Sequence, residues 1–146
     1  MIGVIVPVIA TLVVVAGGVA EDAVKKEMSR LEGEWSMVSG EANGQPMPKE
    51  LVKGGKRVAK DGETTVTIGG RPYFKAKFSI DPTKQPKTID YAMTEGPTKG
   101  RTHLGVYELK DEMVTFCFAA PGNERPTDFT AKQGSQRTLS VWTRHK

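Results

Sequence analysis

At 146 residues the chain has the length of one domain. Its formal net charge of +4 is spread along the sequence, without the clustered basic face and aromatic platforms that nucleic-acid binding uses, so nucleic acid is not an expected partner. A single cysteine, Cys117, excludes an internal disulfide, and the fold must hold by packing alone.

Met1 to Ala20 carries no charged side chain and is rich in Val, Ile, Ala and Leu. Gly18-Val19-Ala20 ahead of Glu21 fits the small-residue cut of a secretory signal. The uninterrupted apolar run also reaches the roughly 18 residues that a membrane anchor needs. A third reading makes it a buried helix of the domain. The usual Lys/Arg-rich start is absent, and no cysteine follows the run to carry a lipid. The expectation is a signal peptide or anchor over residues 1–20 and a secreted, periplasmic or cell-envelope protein. Membrane contact would come only through that segment, if it is uncleaved.

Residues 21–30 are charged, with Val24 and Met28 four apart, which fits a linker or a short helix. From Leu31 the period becomes two: Leu31, Gly33, Trp35 and Met37 share one parity and Glu32, Glu34 and Ser36 the other. Gly44-Gln45-Pro46-Met47-Pro48 breaks this strand, and Lys49 to Lys53 fits one helical turn. Short strands follow, separated by turn chemistry. Lys56 to Lys60 leads to Asp61-Gly62, a strong hairpin signal, and Thr64 to Ile68 ends at Gly69-Gly70. In Tyr73 to Ile80 one face carries Phe74, Ala76, Phe78 and Ile80. Ile89, Tyr91 and Met93 share a face in the next strand. Arg101 to Leu109 and Met113 to Ala119 pair across Lys110-Asp111, and Thr127 to Ala131 and Thr138 to Arg144 read as the last two strands.

Eight or nine short strands with almost no helical period predict an all-β domain over residues 31–146, as a sandwich or barrel. Short connections favour an antiparallel up-and-down meander, and closing it removes both exposed edges. The residues after Ala20 suffice to bury roughly two-thirds of their unfolded surface. Gly33 and Trp35 near the start, with Arg144 near the end, resemble the set with which a small lipocalin-like barrel closes its base. Gly33 would let the first strand approach another backbone, Trp35 would plug the closed end, and the Arg144 guanidinium would lie over the indole, worth about 0.5–2 kcal/mol. Arg137 is the second choice for that cation.

Further stretches strengthen this likeness: Leu31-Glu-Gly-Glu-Trp35, Gly44-Gln-Pro-Met-Pro48, Ile80-Asp-Pro-Thr-Lys84, Glu95-Gly-Pro-Thr-Lys-Gly100, Leu104-Gly-Val-Tyr-Glu-Leu109 and Pro121-Gly-Asn-Glu-Arg-Pro126. Together they resemble an uncharacterised lipocalin-like domain family common in planctomycete bacteria, over about residues 31 to 144. The resemblance implies a secreted or envelope-associated barrel and brings no activity with it. Where the family pattern often has Leu, this chain has His103, so the family supports no role for that side chain.

No catalytic constellation emerges. Gly-x-Ser-x-Gly is absent, and the glutamates Glu32, Glu34, Glu95 and Glu108 are the carboxylates any strand surface offers. The only histidines, His103 and His145, have no partner at a metal-ligand spacing, and Gly54-Gly55-Lys56 and Gly69-Gly70-Arg71 lack the spacing of a phosphate loop. Cys117, between Phe116 and Phe118, reads as a buried small hydrophobe before it reads as a reactive thiol. Neither enzyme activity, metal nor cofactor is expected.

An eight-stranded barrel is just wide enough to be filled by its own side chains or to hold one small ligand. Phe74, Phe78, Tyr91, Met93, Tyr107, Phe116 and Phe118 supply bulk for either. Arg101, His103 and Arg125 are candidates for a polar rim; Arg125 could instead pair with Glu124 to stiffen its loop. The leading expectation is an exported binder of a small apolar or amphipathic molecule. The alternative is a cell-envelope structural or protein-interaction module with a filled barrel.

Overall fold

The computed structural model describes Gly3 and residues 9–145, with side chains from Ala20 onward. Helix α1 spans Ile9–Leu31, β1 Gly33–Ala42, β2 Gln45–Pro46, α2 Lys49–Gly54, β3 Gly55–Lys60 and β4 Glu63–Ile68. Then follow β5 Arg71–Asp81, β6 Lys87–Glu95, β7 Thr102–Lys110, β8 Met113–Phe118 and β9 Thr138–Arg144. Neighbouring strands pair antiparallel in the order β1-β3-β4-β5-β6-β7-β8-β9, and β9 pairs back to β1, which closes an eight-stranded all-β barrel. The two-residue β2 lies outside the ring on the far end of β1.

The turns follow from their residues. Asn43-Gly44, Asp61-Gly62 and Gly69-Gly70 each have two positive φ values between directly paired strand ends, the geometry that matches strand twist in a two-residue hairpin. The apolar parity of the strands then sets the inner face. Ala76 and Phe78 of β5, Ile89, Tyr91 and Met93 of β6, and Val114 and Phe116 of β8 are all buried in one core.

One expectation needs correction. Thr127 to Ala131 is not a strand: residues 119–137 between β8 and β9 have no regular structure. Its polar groups bond locally instead of into a ladder, with Thr130 Oγ1 donating to Asp128 Oδ1 at 2.6 Å and Arg137 Nη1 to the same oxygen at 3.0 Å. Of the two readings of residues 21–30, a linker or a short helix, the helix is what forms, as the continuation of α1.

The signal or anchor segment expected over residues 1–20 falls largely outside the residues whose side chains are described. Among the described residues no helix is long and apolar enough to cross a membrane.

Candidate functional site

The seam where the barrel closes is built on β1 and β9. Trp35 and Arg144 are direct register partners, and the Arg144 guanidinium carbon lies 4.3 Å from the centre of the indole. Trp35 is 1% exposed. Gly33 has φ +120°, and a Cβ there would sit 2.9 Å from Arg144 Nη1. The space Gly33 leaves is therefore taken by the guanidinium, not by another backbone.

Arg144 also serves α1. A helix C-terminus leaves carbonyls without partners. Arg144 Nη2 donates to Arg30 O at 2.6 Å, Nη1 to Glu32 O at 2.8 Å, and Trp35 Nε1 to Leu31 O at 3.0 Å. Arg144 Nε reaches Glu112 at 2.9 Å. Arg137, the second choice for the stack, pairs with Asp128 instead.

With its end fixed, α1 covers one mouth of the barrel. Leu31 is buried in the core and Met28 packs against it. Glu27 is 5% exposed; it accepts from Lys87 Nζ at 2.7 Å, from Arg30 Nη1 at 3.1 Å and from the Tyr107 hydroxyl at 3.2 Å. Burial pushes the Glu27 carboxyl up, but the Lys87 hydrogen bond and charge, followed by Arg30 and Tyr107, hold it below its ordinary value. Burial, followed by the Glu27 charge, drives the Tyr107 hydroxyl well above the usual range, so it stays a neutral donor.

The interior candidates come together. Phe78, Tyr91, Met93, Tyr107 and Phe116 belong to the core, with Phe74 and Phe118 packed against it. Tyr91 is the hub, 4.3 Å from Phe118 and about 6 Å from Phe74, Phe78 and Phe116 between ring centres. Gly105 makes this possible, since a Cβ there would lie 2.5 Å from the Phe118 ring. These side chains fill the barrel. The cavity among them measures about 10 Å³, room for one water-sized sphere.

Arg57 is the residue that sequence reasoning missed. It lies on the inner face of β3, 4% exposed, with its guanidinium carbon 4.5 Å from both the Phe116 and the Trp142 ring centres. Alternation does not mark it, because Val58 and Ala59 place an apolar residue on each parity of this strand.

The rim candidates lie near the other end, around residues 119–137. Arg125 does not pair with Glu124. Its Nη1 donates to Gly105 O at 2.9 Å and to Ile89 O at 3.3 Å, and lies 2.7 Å from Asp90 Oδ1. It staples the loop to β6 and β7 and is not presented to a ligand. His103 Nδ1 bonds Ala119 O at 2.9 Å and Nε2 faces Thr98 Oγ1 at 2.9 Å, so the half-buried ring bridges two loops. Arg101 is exposed.

Cys117 is buried and donates to Thr130 O at 3.4 Å; burial pushes its thiol up, away from the reactive thiolate. Asn43 Oδ1 accepts from the backbone N–H groups of Gly134 and Gln136 at 2.8 and 2.9 Å, fixing the far side of the loop. An open cleft of about 410 Å³ results, lined by Ala119, Gly122, Asn123, Glu124, Ser135 and Arg137.

Among the described residues no group of three or more His, Cys, Asp or Glu side chains is placed to hold a metal ion. No family model matches the chain, and no curated protein or solved structure matches it either.

Proposed function

We propose that this chain is an exported, non-catalytic, lipocalin-like barrel that acts as a cell-envelope interaction module, binding a protein partner through the cleft held by residues 119–137. One contrast carries the reading: the interior cavity measures about 10 Å³ and the loop cleft about 410 Å³. Ligand pockets span about 300–1,000 Å³, so the usable space is at the loops. Long loops without regular structure in small domains are usually either functional or disordered linkers, and this one is tied down by Arg125, Cys117 and Asn43. Glu124 and Arg137 give the cleft both charge signs beside Asn123 and Ser135, a lining that fits a polar peptide surface.

The second reading is an interior receptor for a small apolar or amphipathic molecule. The closed barrel and its inward aromatic set support it. It requires core side chains, Leu31 of α1 first among them, to vacate space.

Two measurements separate the readings. Trp35 and Trp142 are both 1% exposed in the core, so their fluorescence reports on the interior. Titration with fatty acids and apolar dyes is expected to leave it unchanged; saturable quenching would favour the interior receptor. Capture from envelope extract is expected to retain a partner with wild type and to lose it with Asn123→Ala/Glu124→Ala/Arg137→Ala. Equal capture by both would remove the cleft from the account.

A further inference from the structure

Arg57 is a buried cation without a counter-charge. At 4% exposure it forms no salt bridge among the described residues. The Phe116 and Trp142 rings, each 4.5 Å from its guanidinium carbon, and Tyr91 at 5.7 Å offset part of the cost of burial through their π faces. They do not satisfy its N–H groups. Nη1 donates to the Tyr91 hydroxyl and to Thr64 Oγ1, the latter at 3.5 Å, while the sealed Nε–H has no acceptor.

Both hydroxyls are occupied as acceptors and keep their own protons. Thr64 is 1% exposed and Tyr91 3%, and neither donates to another described group. Three donors, Arg57 Nε–H, Thr64 O–H and Tyr91 O–H, thus belong to residues that line one cavity of about 10 Å³, whose other walls include Leu31, Ala59 and Val114.

We propose that Arg57, Thr64 and Tyr91 form a buried site for one monatomic anion of the halide class, with chloride as the physiological occupant. Water fits the volume but brings two protons of its own to a site already rich in donors, and it leaves the guanidinium charge unbalanced. A halide accepts every donor and neutralises the charge. A space of about 10 Å³ admits a single monatomic ion only with a small outward shift of the side chains around it, and it excludes a carboxylate, sulfate or phosphate altogether. The bound ion stabilises the folded barrel, because the unfolded chain has no such cradle. The site does not depend on the loop cleft or on a partner.

The test follows the thermal transition of the full chain, during which the buried site equilibrates with solvent. Sodium chloride is titrated against sodium gluconate at matched ionic strength. Above the dissociation constant, Tm is expected to rise by about 4–7 °C per tenfold increase in chloride. Arg57→Met is expected to abolish the slope. Should that variant fail to fold, Thr64→Val, which keeps the shape and removes one donor, is expected to move the onset of the rise to higher chloride. Crystals grown in bromide are expected to show an anomalous peak within bonding distance of Arg57 Nε. Coincident chloride and gluconate series would overturn the proposal, as would oxygen density without anomalous signal at that position.

Discussion

Gly33, Trp35 and Arg144 form one interlocked unit in which each residue explains the other two. The guanidinium lies on the indole, and it reaches there only because Gly33 has no Cβ. Gly33→Ala therefore combines two penalties, a φ of +120° and a 2.9 Å clash with Arg144 Nη1. The expected loss is about 1–3 kcal/mol, read by urea unfolding. Arg144→Ala removes the stack and three charge-assisted hydrogen bonds, and about 2–3 kcal/mol is expected. The double variant should lose less than the sum, because the clash vanishes with the side chain that causes it. Strict additivity would mean that the two residues act independently. This trio was legible in the sequence because Gly33 and Trp35 near the start, with Arg144 near the end, resemble the set that closes a small lipocalin-like barrel. Arg57 was not. Lys56-Arg57-Val58-Ala59-Lys60 places an apolar residue on each parity, so alternation alone names no inner face. Pairing with β4 decides it: Arg57 faces Val66, which is 1% exposed, and Val58 turns outward at 45% exposure.

At the scale of elements, the end of α1 and the 119–137 segment each close one end of the barrel by side-chain bonding. Glu27 is the point where α1 attaches to β6 and β7. A carboxyl held lower in the folded chain than in the unfolded one adds stability that is complete above its unfolded pKa, about 4.3, and is lost as pH falls through the folded value. Glu27 is such a group, since Lys87, Arg30 and Tyr107 together outweigh its burial. Glu27→Gln should therefore lower stability by about 1–2 kcal/mol near neutral pH. The Tm difference from wild type should stay level from about pH 8 to about pH 5 and close toward about pH 3. A gap that persists in acid would mean that Glu27 acts through packing and not through its charge. The hairpins were readable at this scale because Asp-Gly and Gly-Gly are among the few dipeptides that take two positive φ values at little cost. The strand expected at Thr127 to Ala131 failed because β-branched and aromatic residues say nothing about bonding partners. Asp128, Thr130 and Arg137 satisfy each other, and Cys117 takes the Thr130 carbonyl, so no ladder is needed.

The barrel as a whole was legible from strand count and short connections, whereas the state of its interior was not. Seven inward aromatic, Met and Tyr side chains line a ligand chamber or abolish one depending on ångström-scale offsets that no periodicity encodes. Here Phe118 lies over Tyr91, Leu31 closes one mouth from α1, and about 10 Å³ remains. A filled core of this kind responds to truncation in a way that a ligand chamber does not. Ile89 is 2% exposed and borders the cavity. Ile89→Ala is expected to cost about 2–5 kcal/mol, because close-packed neighbours relax only partly into the space left behind. The enlarged cavity should then take up a small apolar probe such as xenon or benzene, which the wild type should exclude. In a barrel that already holds a ligand-sized chamber the same substitution would cost less and wild type would bind the probe, so stability and uptake measured together on the two proteins decide whether this barrel is solid or hollow.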